Sequence, residues 1–503
     1  MGNEAFYRGV FTEVSMQRQA EPQKSKTFSV KILLVVTALT GGIFILQRAS
    51  LSGATAQEGE RAAEVQFDTL APGHFHAALV LKEMYPGVAR QVSVYAPLDG
   101  DVIDHLQRIS LFNNRKDNPT SWEVNVKTGA DFFQRMLKER PGNVVVLSGR
   151  NRGKIDLINS SLDAGLNVLV DKPWILYPAD LPKLEAALGT ADKRGLIAYD
   201  IMTERHEITT MLQKEIVNDA ATFGSVVPGT EKEPGVYMES VHHLMKTVAG
   251  VPNPRPARFF DIEQQGEGIN DVGTHLVDLV PWILFPEQLI DYRRDIQVLS
   301  AERWPTVISR ENFQRITREA QFPAYLSANV KDDQLQLFAN TDALYRLRGV
   351  YVRLKPLWNY EAPAGAGDTH HAVFRGTLSR VEVRQGKEQK YVPELYVVPN
   401  DASQKATIHA GLRKKIEALQ SKFPGIAIED LGAEMRVGIP AKYREGHEAH
   451  FAAVTKQFLS YLKNPKSLPA WERANMLAKY YVTTKAVELS RQSPRRTESS
   501  ISR

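Results

Sequence analysis

The chain contains no cysteine, which excludes disulfides, thiolate metal sites and cysteine nucleophiles without fixing a redox compartment. It also lacks a concentration of charge of one sign. Lys and Arg number 63 against 58 Asp and Glu, a net charge of +5 over 503 residues. Part of that small excess sits in the C-terminal tail, at Arg491, Arg495, Arg496 and Arg503. No basic stripe interleaved with aromatics is present, so nucleic acid is excluded as a partner. No H-E-x-x-H motif occurs, and no G-x-G-x-x-G fingerprint is intact. What remains is ordinary globular material, 43% hydrophobic and 24% charged, and long enough to imply two domains.

The N-terminus carries an address. Lys24, Lys26 and Lys31 precede the apolar run 32–46, and Ala54-Thr55-Ala56 follows it. A basic lead, an apolar core of about 15 residues and a small-x-small site describe a secretory signal. The run is short for a spanning helix, Gly41-Gly42 interrupts it, and no twin arginine precedes it. Residues 1–56 are therefore read as a signal peptide or uncleaved N-terminal anchor, with Met16 an alternative start. The protein is expected to be exported, periplasmic or otherwise extracytoplasmic, and to meet a membrane only through this segment.

A polar linker, 57–64, leads into alternating strands and helices. Strands are expected at 65–70, 91–95, 144–147, 168–170 and 196–199, and helices at 77–84, 131–138, 155–164 and 181–193. Strands spaced by helices of this length form a parallel, doubly wound sheet of the Rossmann type over residues 65–200. From 201 to 465 the rhythm changes. Helices at 207–217 and 272–284 flank irregular stretches, and period-two runs follow at 335–338, 350–354, 372–374, 379–383 and 395–398. These predict an α+β domain with an open, mostly antiparallel sheet. Helices at 450–462 and 470–489 precede a tail, 490–503, expected to be disordered.

Chemistry concentrates in three places. Asn167-Val168-Leu169-Val170 runs straight into Asp171-Lys172-Pro173, so an amine stands at the C-terminal end of a buried strand, the edge where open α/β sheets bind ligands. A hundred residues on, Asp271 and His275 lie four apart and Asp278 three further, sharing one helix face. Asp271 also reads as the N-cap of a helix starting at Val272. The first turn is Ala71-Pro72-Gly73-His74-Phe75-His76. It keeps the second glycine of the dinucleotide fingerprint and replaces the first and third by Ala71 and His76. The second strand ends without a ribose-binding acid, Asp99 and Asp101 coming late. His370-His371 follows the glycine-rich 364–368 and reads as a loop facing the cleft. His447 and His450 are three apart, a spacing that suits a metal but lacks a supporting motif.

Together these residues resemble the Gfo/Idh/MocA family of nicotinamide-dependent sugar oxidoreductases. The likeness is carried by Asn143-Val-Val-Val-Leu-Ser-Gly149, by Asp171-Lys172-Pro173 where the family has Glu-Lys-Pro, and by Asp271-x-x-x-His275 with Asp278. It implies a Rossmann domain completed by the helix 470–489, an open-sheet second domain that often serves as a homo-oligomer face, and NAD or NADP as cofactor. It implies His275 as general base at an unperturbed imidazole pKa, Lys172 stabilising alkoxide charge and Asp271 orienting the base or substrate. Cofactor contacts are assigned to Gly73, His74, Phe75, His76, Ser148, Asp171, Lys172 and Pro173, sugar-substrate contacts to Asp278 and His370, and no metal is assigned. Arg150, Arg152 and Lys154 stand where the family has a histidine, as phosphate ligands favouring NADP or as surface charge. Two other classes compete. One is a sugar-binding relative that has lost its cofactor; the other is a metal-dependent barrel hydrolase ligated through His74 and His76.

Overall fold

A computed structural model describes residues 65–248, 251–252 and 254–493. The N-terminal signal or anchor, the linker 57–64 and the tail beyond 493 lie outside the described residues. Among the described residues no helix is long and apolar enough to cross a membrane.

Six strands form one parallel sheet: β1 (Phe67–Leu70), β2 (Gln91–Ala96), β3 (Glu123–Thr128), β4 (Val144–Leu147), β5 (Asn167–Asp171) and β6 (Ala198–Ile201). Their spatial order is β3-β2-β1-β4-β5-β6, the Rossmann order, with the chain reversing direction between β1 and β4. This open sheet excludes the eight-unit barrel that the hydrolase reading required.

The central strand β4 is an apolar run because both its faces are covered. In β4, Val145 and Leu147 join the helices Lys154–Asp163, Leu181–Arg194 and Ala470–Gln492. Val144 and Val146 point the other way, into a core with Phe451, Val454 and Phe458 of the helix His447–Lys463. That second face needs help from so late in the chain because the first crossover helix is only His76–Val80. A longer helix, 77–84, was expected. It stops because Trp122 Nε1 donates to Leu81 O at 2.7 Å and the Arg115 guanidinium to Lys82 O at 2.6 Å. The helix His447–Lys463, grouped by sequence with the second domain, thus packs on the Rossmann sheet.

The second sheet has ten strands. Its order across the path is Ile296–Ser309, Gln334–Leu347, Val350–Glu361, Val236–Met245, Thr369–Arg375, Ser379–Gln385, Glu394–Pro399, Met435–Gly438 and Ala427–Asp430, with Val330–Lys331 beside Gln334–Leu347. All pairs are antiparallel except Val350–Glu361 with Val236–Met245. One face buries Met238, Val352, Leu354, Phe374, Val381 and Val397 against the helices Ile208–Val217, Val272–Leu284 and Lys405–Leu419. The helix Ala470–Gln492 contributes to both cores, through Met476 and Tyr480 on one side and Ala478 and Val482 on the other.

Where these elements meet, five charged side chains are buried together. Arg205 binds Asp278 through two nitrogens at 2.6 and 2.7 Å and reaches Glu472 at 2.8 and 2.9 Å. Lys479 pairs with Asp278 and with Asp200 of β6, each at 3.0 Å. Burial alone would raise the Asp278 carboxyl, but Arg205 and Lys479 outweigh it and hold it at about 2. The depressed pKa makes this contribution to stability fully present above the unfolded value near 3.8 and lost as pH falls through about 2. Asp278→Ala is expected to destabilise the fold by ~3–5 kcal/mol at neutral pH, measured by denaturant unfolding, because it strands two buried cations. A loss under ~1 kcal/mol would show the network to be dispensable.

Candidate functional site

A cleft of about 590 Å³, counting open solvent, lies over the C-terminal ends of β4 and β5, facing the antiparallel sheet. His74, Gly149, Asn151, Asp171, Lys172 and Asp271 line one part, and Leu244, Phe259, Phe338 and Trp358 the other. A second cleft, about 720 Å³ by the same measure, shares His74, Phe259 and Gln265 with the first. It runs over the first turn between Gly73, Phe75, Asp101, Arg108, Arg255 and Arg258. The two adjoin at the switch point of the sheet, with His74, Phe259 and Gln265 as their common wall.

Lys172 follows β5 directly, and its ammonium is hydrogen-bonded to the Asp271 carboxylate and to Asp271 O at 3.3 Å. Asp271 is at the N-cap position, yet its side chain caps nothing; the carboxylate is given to Lys172 instead. Each charge settles the other. Burial lowers Lys172, but Asp271 and Asp171 raise it more, so it stays an ammonium. Burial raises Asp271, but Lys172 pulls it to about 2.

Asp171 is the second organising carboxylate. Its Oδ2 receives His74 Nδ1 at 3.1 Å, His76 Nδ1 at 2.9 Å and Ser148 Oγ at 2.9 Å. Its backbone carbonyl takes Lys154 Nζ at 2.9 Å. Burial would raise the carboxyl, but the rings of His76 and His74 hold it well below the usual range. Burial, with His74 beside it, pushes His76 down to about 3.

The assigned residues divide sharply. Gly73, His74, Phe75, Asp171, Lys172 and Asp271 face the clefts. His76 and Ser148 are buried behind Asp171, and Pro173 follows Lys172 through a cis peptide bond. His275 sits a turn behind Asp271, outside the residues lining the cleft. Burial first, then Lys172, lower it to about 4, so its imidazole is not the unperturbed group expected from the sequence. Its Nδ1 is buried without a hydrogen-bond partner. His370 lies on the strand Thr369–Arg375, not in a loop. It does not line the cleft, and burial lowers it to about 4. Asp278 is engaged entirely in the buried network, so the substrate contact expected of it is absent from this arrangement. Lys154, expected among phosphate ligands or surface charge, is buried at 1% exposure, and burial lowers it to about 8. Arg150 reaches Asp99 at 3.5 Å and Asp101 at 3.7 Å.

Glu204 was missed by sequence reasoning. It follows β6 in the short turn Thr203–His206, and His447 Nδ1 lies 3.2 Å from it. Burial raises its carboxyl, but His447, His275 and His450 together bring it well below the usual range. Its position just after a parallel strand was the available signal.

Asp271→Asn is expected to lower the Lys172 pKa below the ordinary lysine value of 10.5, because burial is then less opposed. Selective isotope labelling with an NMR pH titration reads this directly. An unshifted ammonium in the variant would mean that Asp271 does not set its charge.

Residues 212–491 match the family described as "Putative oxidoreductase C terminal domain". No curated protein matches the chain. Among solved structures, a "putative oxidoreductase" from Parabacteroides merdae ATCC 43184 is 46% identical, with a TM-score of 0.83 over 86% of this chain and 98% of that one. A "putative oxidoreductase" from Erwinia carotovora atroseptica is 14% identical, with a TM-score of 0.53 over 85% and 99% of the two chains. KijD10, a 3-ketoreductase from Actinomadura kijaniata, is 13% identical, with a TM-score of 0.50 over 86% and 98%. The last two speak to the fold alone. With the family match spanning more than half its length, the chain belongs to this oxidoreductase family, and its two-sheet fold is the one that the resemblance to the Gfo/Idh/MocA enzymes implied.

Proposed function

We propose that the protein is an NAD(P)-dependent oxidoreductase acting on a hydroxyl of a sugar or related polyol. The observation that carries this is the Lys172–Asp271 pair at the end of β5, opening into a cleft at the switch point of a parallel sheet. KijD10 was solved with NADP and GenD2 with NAD, so both forms of the cofactor stay in the proposal.

The residues present fit a dinucleotide, by an unusual route. The two adjoining clefts give it length, with Phe75, Arg108 and Arg255 in the outer walls and His74, Asp171 and Lys172 in the inner one. The backbone cradle contributes less. A Cβ at Gly73 would meet Gly149 Cα and Asp101 Oδ2 at 3.2 Å, so the chain itself occupies that space, and the His74 N–H already donates to Ser148 O at 3.0 Å. The diphosphate is therefore assigned to the arginine side chains. Asp99 caps the helix Gly100–Asn114 and Asp101 pairs with Arg258, which leaves neither dedicated to a ribose.

When bound, the nicotinamide supplies hydride acceptance or donation. The chain supplies the charge and the proton path. Lys172 stabilises negative charge developing on the substrate oxygen and relays the proton, taking one from the hydroxyl as it gives one up. His275, kept neutral by burial behind Lys172, is the final proton acceptor. Trp358 and Phe259 offer apolar faces to the C–H side of a sugar ring, while Asp271 offers an acceptor for its hydroxyls.

A non-catalytic sugar-binding relative is the second reading, favoured by the committed His74 N–H and the filled space at Gly73. Turnover of a sugar panel with NAD or NADP separates the two. If His275 is the base, kcat/KM falls only as pH drops towards about 4, where the ring takes up its proton. His275→Ala is expected to lower kcat by ~10²–10⁴ and to remove that acid limb. A limb near 6.5 in the wild type, or unchanged turnover in both His275→Ala and Lys172→Ala, would contradict the site assignment. No turnover together with no cofactor binding would favour the binding protein.

A further inference from the structure

The barrel fold is excluded, yet the two histidines that prompted it converge in this one. We propose that His74, His76 and Asp171 form a site for a divalent first-row transition metal of the zinc class, set in the floor of the cleft. One donor atom from each lies within 4.8 Å of the others. Both imidazoles turn Nδ1 towards the same oxygen, Asp171 Oδ2, at 3.1 and 2.9 Å, and Ser148 Oγ joins them at 2.9 Å. Three donors on one oxygen exceed its two lone pairs. Ligands about 2.0–2.2 Å from a tetrahedral zinc are about 3.3–3.6 Å from one another, so the two Nδ1–Oδ2 contacts of 3.1 and 2.9 Å would need to open by only about half an ångström to admit the ion.

The ligands are held by the frame. His74 and His76 stand in the turn between β1 and its helix, and Asp171 ends β5. Two imidazole nitrogens with one carboxylate select zinc, iron or manganese over magnesium or calcium, which take oxygen. Nearby ammonium groups are already engaged, Lys172 by the Asp271 carboxylate and Lys154 by the Asp171 carbonyl. The His74 side chain is 31% exposed and Asp171 is 5% exposed, and both line the cleft. Three protein ligands would thus leave a fourth position open to an oxygen of whatever the cleft holds. This goes beyond the oxidoreductase reading: the Lys172–Asp271 pair and His275 are not ligands, while His74 and Asp171 are shared with the inner wall assigned to the cofactor.

The test uses the full chain without an affinity tag, stripped by chelator and titrated calorimetrically with Zn²⁺ alone, with Mg²⁺ as a parallel arm. One Zn²⁺ per chain is expected, with no Mg²⁺ binding and affinity at least about 10-fold weaker in His74→Ala and Asp171→Asn. Thermal unfolding of the metal-free variants checks that they fold. X-ray absorption of the zinc-loaded wild type needs no variant, and two imidazoles in the coordination shell support the site. No Zn²⁺ binding, equal affinity in wild type and variants, or a shell without two imidazoles overturns it. NAD(P) binding measured on the stripped protein reports separately on the oxidoreductase reading.

Discussion

Arg205 and Lys479 carry two positive charges into the protein interior, where Asp278 is the carboxylate that pairs with both. The arrangement fixes more than charge. Asp278 belongs to the helix Val272–Leu284, Asp200 to β6, and Glu472 and Lys479 to the helix Ala470–Gln492. The network therefore locks a helix of the second half of the chain against the last strand of the parallel sheet. Asp271 stands at the start of that same helix. Its meeting with Lys172 across the cleft is a consequence of where Asp278 is anchored two turns away.

One helix face thus does two kinds of work. Asp278 is spent on assembly, Asp271 on holding the Lys172 ammonium at the cleft, and His275 between them is left neutral by burial. The first turn is similarly repurposed. Where a dinucleotide site of the usual kind keeps backbone N–H groups free, here His74 N–H is tied to Ser148 O and His76 occupies a glycine position to bind Asp171. A Cβ at Gly149 would lie 2.4 Å from Ala71 O, so the loops after β1 and β4 are in direct backbone contact. Side chains, not the glycine cradle, define this edge.

Much of this was legible in the sequence. β4 is an unbroken apolar run and β5 has an apolar centre because both faces are buried, and Val272–Leu284 shows its period because one stripe is polar. Elements with weak burial contrast were not legible. The helix Gly100–Asn114 buries only Val102, His105 and Ile109, and β3 is an edge strand with no fully buried residue. The strand Ile296–Ser309 contains Pro305 and breaks register between Trp304 and Thr306, as an edge strand with a bulge does. At the site, Lys172 and the stretch from Asp271 to Asp278 were legible as partners at one cleft, but the direct pairing of Lys172 with the Asp271 carboxylate in place of an N-cap was not. The depressed His275 and the burial of Lys154 depend on contacts from elements far apart in the chain, which no local pattern encodes.

The central claim is that the adjoining clefts over β1, β4 and β5 hold a dinucleotide with its reacting end beside Lys172 and Asp271. A crystal structure of the protein soaked with NAD or NADP tests it most directly. The account predicts the nicotinamide against His74, Asp171 and Lys172, and the adenosine half between Phe75 and Arg108. A cofactor found elsewhere, or clefts that stay empty at saturating cofactor, would contradict it.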